Sequence, residues 1–204
     1  MRLGILGGTF DPVHYGHLIV AETCRQQLAL DRVCFLPAGI PPHKQTNTIS
    51  AGHFRVDMLR LAVSGYPEFC IDARELHRDG PSYTVETLTE YQSEHPQAEL
   101  FFLMGADSLR ELMTWKDPQE IARLAHIVAC NRPGFPQLTR AQVEEWVSPE
   151  IVPRVKTVRI PGTDLSSSEM RARIQHGTGV RFMTPRAVEV FIQQNRLYAS
   201  EPSS

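Results

Sequence analysis

Residues 4–18 read GILGGTFDPVHYGHL. The apolar run RLGIL at 2–6 has the content of a buried strand, and Gly7 and Gly8 close it. From 15 to 30 the pattern is helical. The stretch therefore predicts a strand, a tight turn and a helix in immediate succession. Glycines at 7 and 8 can take positive φ and leave room for a ligand against the backbone.

Outward from this unit the alternation repeats. RVCFLPAG (32–39) predicts a second strand, and 51–64 a helix with Phe54, Met58, Leu61 and Ala62 at helical spacing. EFCID (68–72) predicts a third strand, followed by a helix over 82–95 with Ser82 as its N-cap. AELFFLMGAD (98–107) is a buried strand, and DPQEIARLA (117–125) a helix with Pro118 just after an N-cap Asp117. HIVACNRPG (126–134) and VKTVRI (155–160) predict two more strands. Helices follow at 167–176 and 185–195, with Pro185 in the first turn of the last. Strands alternating with helices argue for a parallel sheet covered on both faces. Ligands of such sheets bind beyond the carboxyl ends of the strands, where strand order reverses. The turn after residue 6 lies at such an end.

The 204 residues suit one domain, and no repeat or linker divides them; the terminal ASEPSS predicts a frayed tail. With 22% charged residues and a net charge of −2, bulk electrostatics offers no case for nucleic acid or a membrane surface as partner. The first residues lack the apolar core of a signal peptide, and no apolar run approaches a membrane span. Cys24, Cys34, Cys70 and Cys130 form no CxxC pair, which predicts free, largely buried thiols and a reducing, cytoplasmic setting.

Three readings of the turn compete. It is a plain structural reversal, a metal site built on His14 and His17, or a cradle for phosphate. A zinc site needs further ligands, and no Cys/His pair at metal spacing occurs elsewhere. The glycines fit neither GxGxxG nor a Gly-Lys-Ser/Thr loop. His14 and His17 share one face at the start of a helix, where backbone amides and the helix dipole favour an anion. DLSSSEMRARI (164–174) raises the same question again: its serines are ordinary N-caps, or with Arg171 one turn later they clamp an anion.

GGTFDPVHYGH resembles the GxFxPxHxGH signature of the nucleotidyltransferase superfamily, which directs an acceptor onto the α-phosphate of a nucleoside triphosphate. LSSSEMR (165–171) resembles its ISSTxIR motif, with Ser168 for threonine and Met170 for isoleucine. Between them GGTFDPVHYGHL, PAGIPPHK, SYTVETL, LMGADSLRELMTWKDPQEI and CNRPG stand in the order seen in bacterial nicotinate mononucleotide adenylyltransferases, over residues 2–198. The resemblance implies a single-domain, Rossmann-like α/β fold: a doubly wound, mainly parallel sheet with C-terminal helices over 1–198, and 199–204 as a flexible tail.

It also implies roles. Gly7, Gly8, Thr9, Phe10 and His17 would hold ATP, with Gly105 and Asp107 bordering it and Ser167, Ser168 and Arg171 on its outer phosphates. His14, His17, Lys44 and Arg171 would carry catalysis. No protein metal ligand is implied, and Mg²⁺ would ride on ATP and water. For nicotinate mononucleotide, Trp115 would stack the pyridine and Thr84 supply a hydroxyl. Lys116, where relatives carry an aromatic residue, would favour the acid over the amide, and Arg132 would meet the ribose phosphate. Without the resemblance, Trp115 is a core aromatic, Thr84 a helix position, Lys44 and Lys116 solvated lysines, Arg132 a surface ion pair and Asp107 an N-cap. Two rivals remain: a phosphopantetheine adenylyltransferase, against which stand the longer chain and Trp115, and a nucleotide sensor without catalysis, which would be expected to lose the histidines, Lys44 or Arg171.

Overall fold

The computed structural model describes residues 1–39, 49–131 and 138–200. Six strands form one sheet in the order β3-β2-β1-β4-β5-β6, every neighbouring pair parallel. They are β1 (Arg2–Gly8), β2 (Arg32–Pro37), β3 (Phe69–Ile71), β4 (Glu99–Gly105), β5 (Ala125–Asn131) and β6 (Val155–Arg159). The chain winds outward from β1 to β3, then returns to the middle and winds the other way from β4 to β6. The reversal lies between β1 and β4, which pair with Leu6 opposite Leu103, so that Gly8 and Gly105 close neighbouring strands.

The strand sequences alternate between two cores. Leu3 and Ile5, Phe102 and Met104, Ile127 and Ala129 enter one; Leu6, Phe101, Leu103, Val128 and Cys130 enter the other. Side chains two apart share a face of the pleat, so one apolar run feeds both sides. The helices α1 (Tyr15–Gln27) and α2 (Gly52–Ala62) cover the second face, joined by the last helix of the chain. On the first face lie α3 (Thr84–Glu94), α4 (Ala106–Glu111), α5 (Pro118–Leu124) and α6 (Arg140–Trp146). After β6 come α7 (Ser167–Gln175) and α8 (Arg186–Gln194), and Val188 and Ile192 of α8 return to the second core.

The local expectations differ from the structure in a few places. α1 stops at Gln27, because Ala29 takes a left-handed backbone (φ 47) and turns the chain toward β2. Tyr83, not Ser82, is the N-cap of α3, and the Ser82 hydroxyl donates instead to the carbonyl of Glu75. Pro185 caps α8 from just outside it. α4 grows directly from β4 with Gly105 as its N-cap, so Asp107 sits in its first turn.

All four cysteines are free thiols, and Cys24 of α1 meets Cys130 of β5 with sulfurs 3.4 Å apart. No helix among the described residues is long and apolar enough to cross a membrane.

Candidate active site

The turn after β1 is shaped by Phe10. Gly7 and Gly8 stay within the strand, and the left-handed residue is Phe10 (φ 50). Its ring folds back so far that a Cβ on Gly8 would stand 2.9 Å from it, which explains glycine there by close approach rather than by φ. Phe10 is buried, and its ring lies edge-on to Phe35 at 5.6 Å and to His17 at 5.0 Å. Phe35 in turn meets Phe69 of the edge strand at 5.9 Å.

His14 is the N-cap of α1, and its backbone N–H donates to Nδ1 of His17 at 3.3 Å. A neutral imidazole that accepts at Nδ1 carries its proton on Nε2. The two rings stack with centroids 3.8 Å apart. Gly16 makes this possible, since a Cβ there would lie 2.9 Å from two atoms of the His14 ring.

The second motif docks onto the first. Ser166 caps α7, its hydroxyl accepting from the Glu169 N–H. The Ser167 hydroxyl donates to the Pro12 carbonyl at 2.9 Å, and Arg171 donates through Nη1 to the Asp11 carbonyl at 2.7 Å. Arg171 also donates through Nη2 to the Ser168 hydroxyl at 3.4 Å. A serine has one O–H, so with that proton on Pro12 an anion here would meet the Ser167 amide rather than its hydroxyl. Thr184, just before α8, donates to the Val13 carbonyl at 2.8 Å.

Beneath the turn lies a buried charged network that sequence reasoning missed. Arg55 of α2 is 4% exposed and donates to the carbonyls of Thr9, Ala38 and Ser50. Burial pushes its guanidinium below the usual value, and the Asp11 carboxylate opposes that shift. Asp11 is 1% exposed and accepts from the Ser50 N–H at 3.0 Å and from the Tyr198 hydroxyl at 2.5 Å. The only local signal was an aspartate before proline in the turn; nothing around Arg55 or Tyr198 marks them.

Across the switch point, Gly105 faces open space: a Cβ there would meet nothing within 4 Å. Asp107 is exposed beside it. Trp115 is partly buried against the first core, edge-on to Phe102 at 6.2 Å. Thr84 opens α3, and the neighbouring residues tie α3 to the Trp115 segment. Lys116 donates to Glu86 at 2.7 Å and lies 4.4 Å over the Tyr83 ring. Glu86 holds its ammonium above the usual lysine range, so the Lys116 charge is turned to a protein carboxylate. Lys44 and Arg132 lie outside the described residues, after β2 and β5.

Gly8, Phe10, His14, His17, Ser167, Ser168 and Arg171 thus lie together at the carboxyl end of β1. Residues 5–173 match the model of the cytidylyltransferase-like family. A protein of Thermomicrobium roseum named "Probable nicotinate-nucleotide adenylyltransferase" is 45% identical over 200 residues, covering 97% of this chain and 91% of its own. The chain belongs to the nicotinate-nucleotide adenylyltransferase family. A second member, from Thermus thermophilus, is 43% identical over 97% of this chain and 100% of its own. The Plasmodium falciparum nicotinic acid mononucleotide adenylyltransferase complexed with NaAD shares the fold, with a TM-score of 0.80 at 17% identity over 97% of both chains.

Proposed function

We propose that this member of the family transfers AMP from ATP to nicotinate mononucleotide, giving nicotinate adenine dinucleotide and pyrophosphate for NAD biosynthesis. The observation that carries the reading is the pair of bonds from Ser167 to Pro12 and from Arg171 to Asp11. They bring the two signature segments together at the topological switch, and doubly wound sheets bind nucleotides at such a point, which supports the reading.

A phosphate oxygen of the acceptor attacks the α-phosphorus of ATP; the new P–O bond forms as the bond to pyrophosphate breaks. The acceptor is an anion at neutral pH, so the reaction needs no general base. The chain's tasks are alignment of two polyanions and stabilisation of the leaving group's charge. His17 donates from Nε2 to the α-phosphate, His14 fixes that ring, and Arg171 and Lys44 oppose the outer phosphates. Gly7, Gly8, Thr9 and Phe10 line the triphosphate, with Ser167 and Ser168 at the helix end and Gly105 and Asp107 on the nucleoside side. Thr84, Trp115, Lys116 and Arg132 receive the acceptor.

Among the described residues no three His, Cys, Asp or Glu side chains gather into a metal-binding group. Magnesium enters this reading as MgATP, where it neutralises phosphate charge. Residues 1–198 form the nucleotidyltransferase domain, with 199–204 as its tail. Four free thiols favour a cytoplasmic setting.

Pyrophosphate release with ATP and a panel of acceptors tests the reading. Nicotinate mononucleotide is expected to be the preferred acceptor, ahead of phosphopantetheine. Release with phosphopantetheine alone, or ATP binding without turnover on any acceptor, would replace it.

A further inference from the structure

Four carbonyls of the turn are held from outside it. Thr9 O accepts from Arg55, Asp11 O from Arg171, Pro12 O from Ser167 and Val13 O from Thr184. A peptide unit is rigid, and in a trans unit the N–H points opposite the carbonyl. Anchoring these oxygens therefore fixes the direction of the amides of Phe10 and Val13, and of the His14 amide that donates to His17. An amide cradle for phosphate requires that kind of constraint, because a carbonyl swung inward would repel the anion.

One anchor is a side chain of the turn itself. The Asp11 carboxylate is buried and bridges the Ser50 N–H and the Tyr198 phenol. Tyr198 lies past α8, 187 positions from its partner. Reaching Asp11 takes two left-handed residues in quick succession, Arg196 (φ 50) and Tyr198 (φ 63). Neither is glycine, so the backbone holds strain that the surroundings must offset. The phenol is partly buried against the second core, and both its burial and Asp11 push its ionisation upward, keeping it a donor.

We propose that Tyr198 is a positioning residue for ATP, acting through Asp11 to hold the phosphate turn in its binding shape. The inference rests on the reading of that turn as the ATP site. Tyr198 touches no substrate in this scheme; it sets the shape that His17 and the turn amides present.

The test is Tyr198→Phe, which keeps the ring and removes one hydroxyl. Calorimetric affinities for ATP and for nicotinate mononucleotide are compared with wild type, together with the two KM values and kcat. ATP affinity is expected to fall roughly tenfold, as for loss of a hydrogen bond to a charged group. Affinity for nicotinate mononucleotide should stay within about twofold, a separation that a general loss of stability would not give. In an Asp11→Asn background the same change is expected to add little, since the phenol acts through that carboxylate. Unchanged ATP affinity in Tyr198→Phe, equal loss for both ligands, or full additivity with Asp11→Asn would overturn the proposal. A wild-type protein that binds ATP but makes no dinucleotide would overturn the proposed function and leave this result standing.

Discussion

The backbone N–H of His14 determines which nitrogen of His17 carries the proton. By donating to Nδ1 it leaves Nε2 as the donor. In the proposed reaction that donor meets charge developing at the α-phosphate. Replacing His17 with alanine is expected to lower kcat roughly 10²- to 10³-fold, as for other lost transition-state donors, with a smaller change in KM for the acceptor. Steady-state kinetics check this, and a variant within a few-fold of wild type would remove the role. His14 and His17 were legible in the sequence because three positions along a helix share one face, while the close approach that requires Gly16 was not. Arg55 was not, since its partner at Thr9 stands 46 positions away, and a buried arginine in an amphipathic helix resembles any surface one. The reversal was assigned to Gly7 and Gly8 because glycine tolerates positive φ, yet core packing placed it on Phe10.

At the scale of elements, strands were the clearest part of the reading. β1, β4 and β5 are buried on both faces, so each shows as an uninterrupted apolar run. α4 and α6 passed unseen because six or seven residues carry little periodicity and neither opens on an Asp-Pro pair like the one that marked α5, itself seven residues long. β5 also carries a titrating group. His126 Nε2 meets Glu99 at 3.0 Å, while its buried Nδ1 makes no hydrogen bond among the described residues. Protonation would add an N–H there, and burial, with Arg154 and Lys156, holds the imidazole below its usual 6.5. In the interval below 6.5 the unfolded chain binds this proton more readily than the folded one, so stability rises with pH through that interval. Urea unfolding at about pH 5 and pH 7 should show wild type losing more stability on acidification than His126→Gln. An equal loss in both proteins would contradict this origin.

For the whole molecule, the topology brings residues from both halves of the chain together at the turn after β1. Alternation of strands and helices made the parallel sheet legible, and the order of motifs made the family legible. Which C-terminal residues reach the first turn was not, because it depends on how α7 and α8 return across the sheet after β6. A chain ended after Tyr198 is expected to keep ATP affinity within about twofold, while one ended after Leu197 should repeat the roughly tenfold loss of Tyr198→Phe. Binding measurements on the two truncations distinguish a dispensable tail from a working terminus. The row of rings from Phe69 through Phe35 and Phe10 to His17 carries a different consequence. Close-packed aromatics pass a displacement along rather than absorb it. The edge strand β3 is thus mechanically continuous with the imidazole, so that replacing Phe69 with a smaller side chain is expected to alter turnover without touching any residue of the signature.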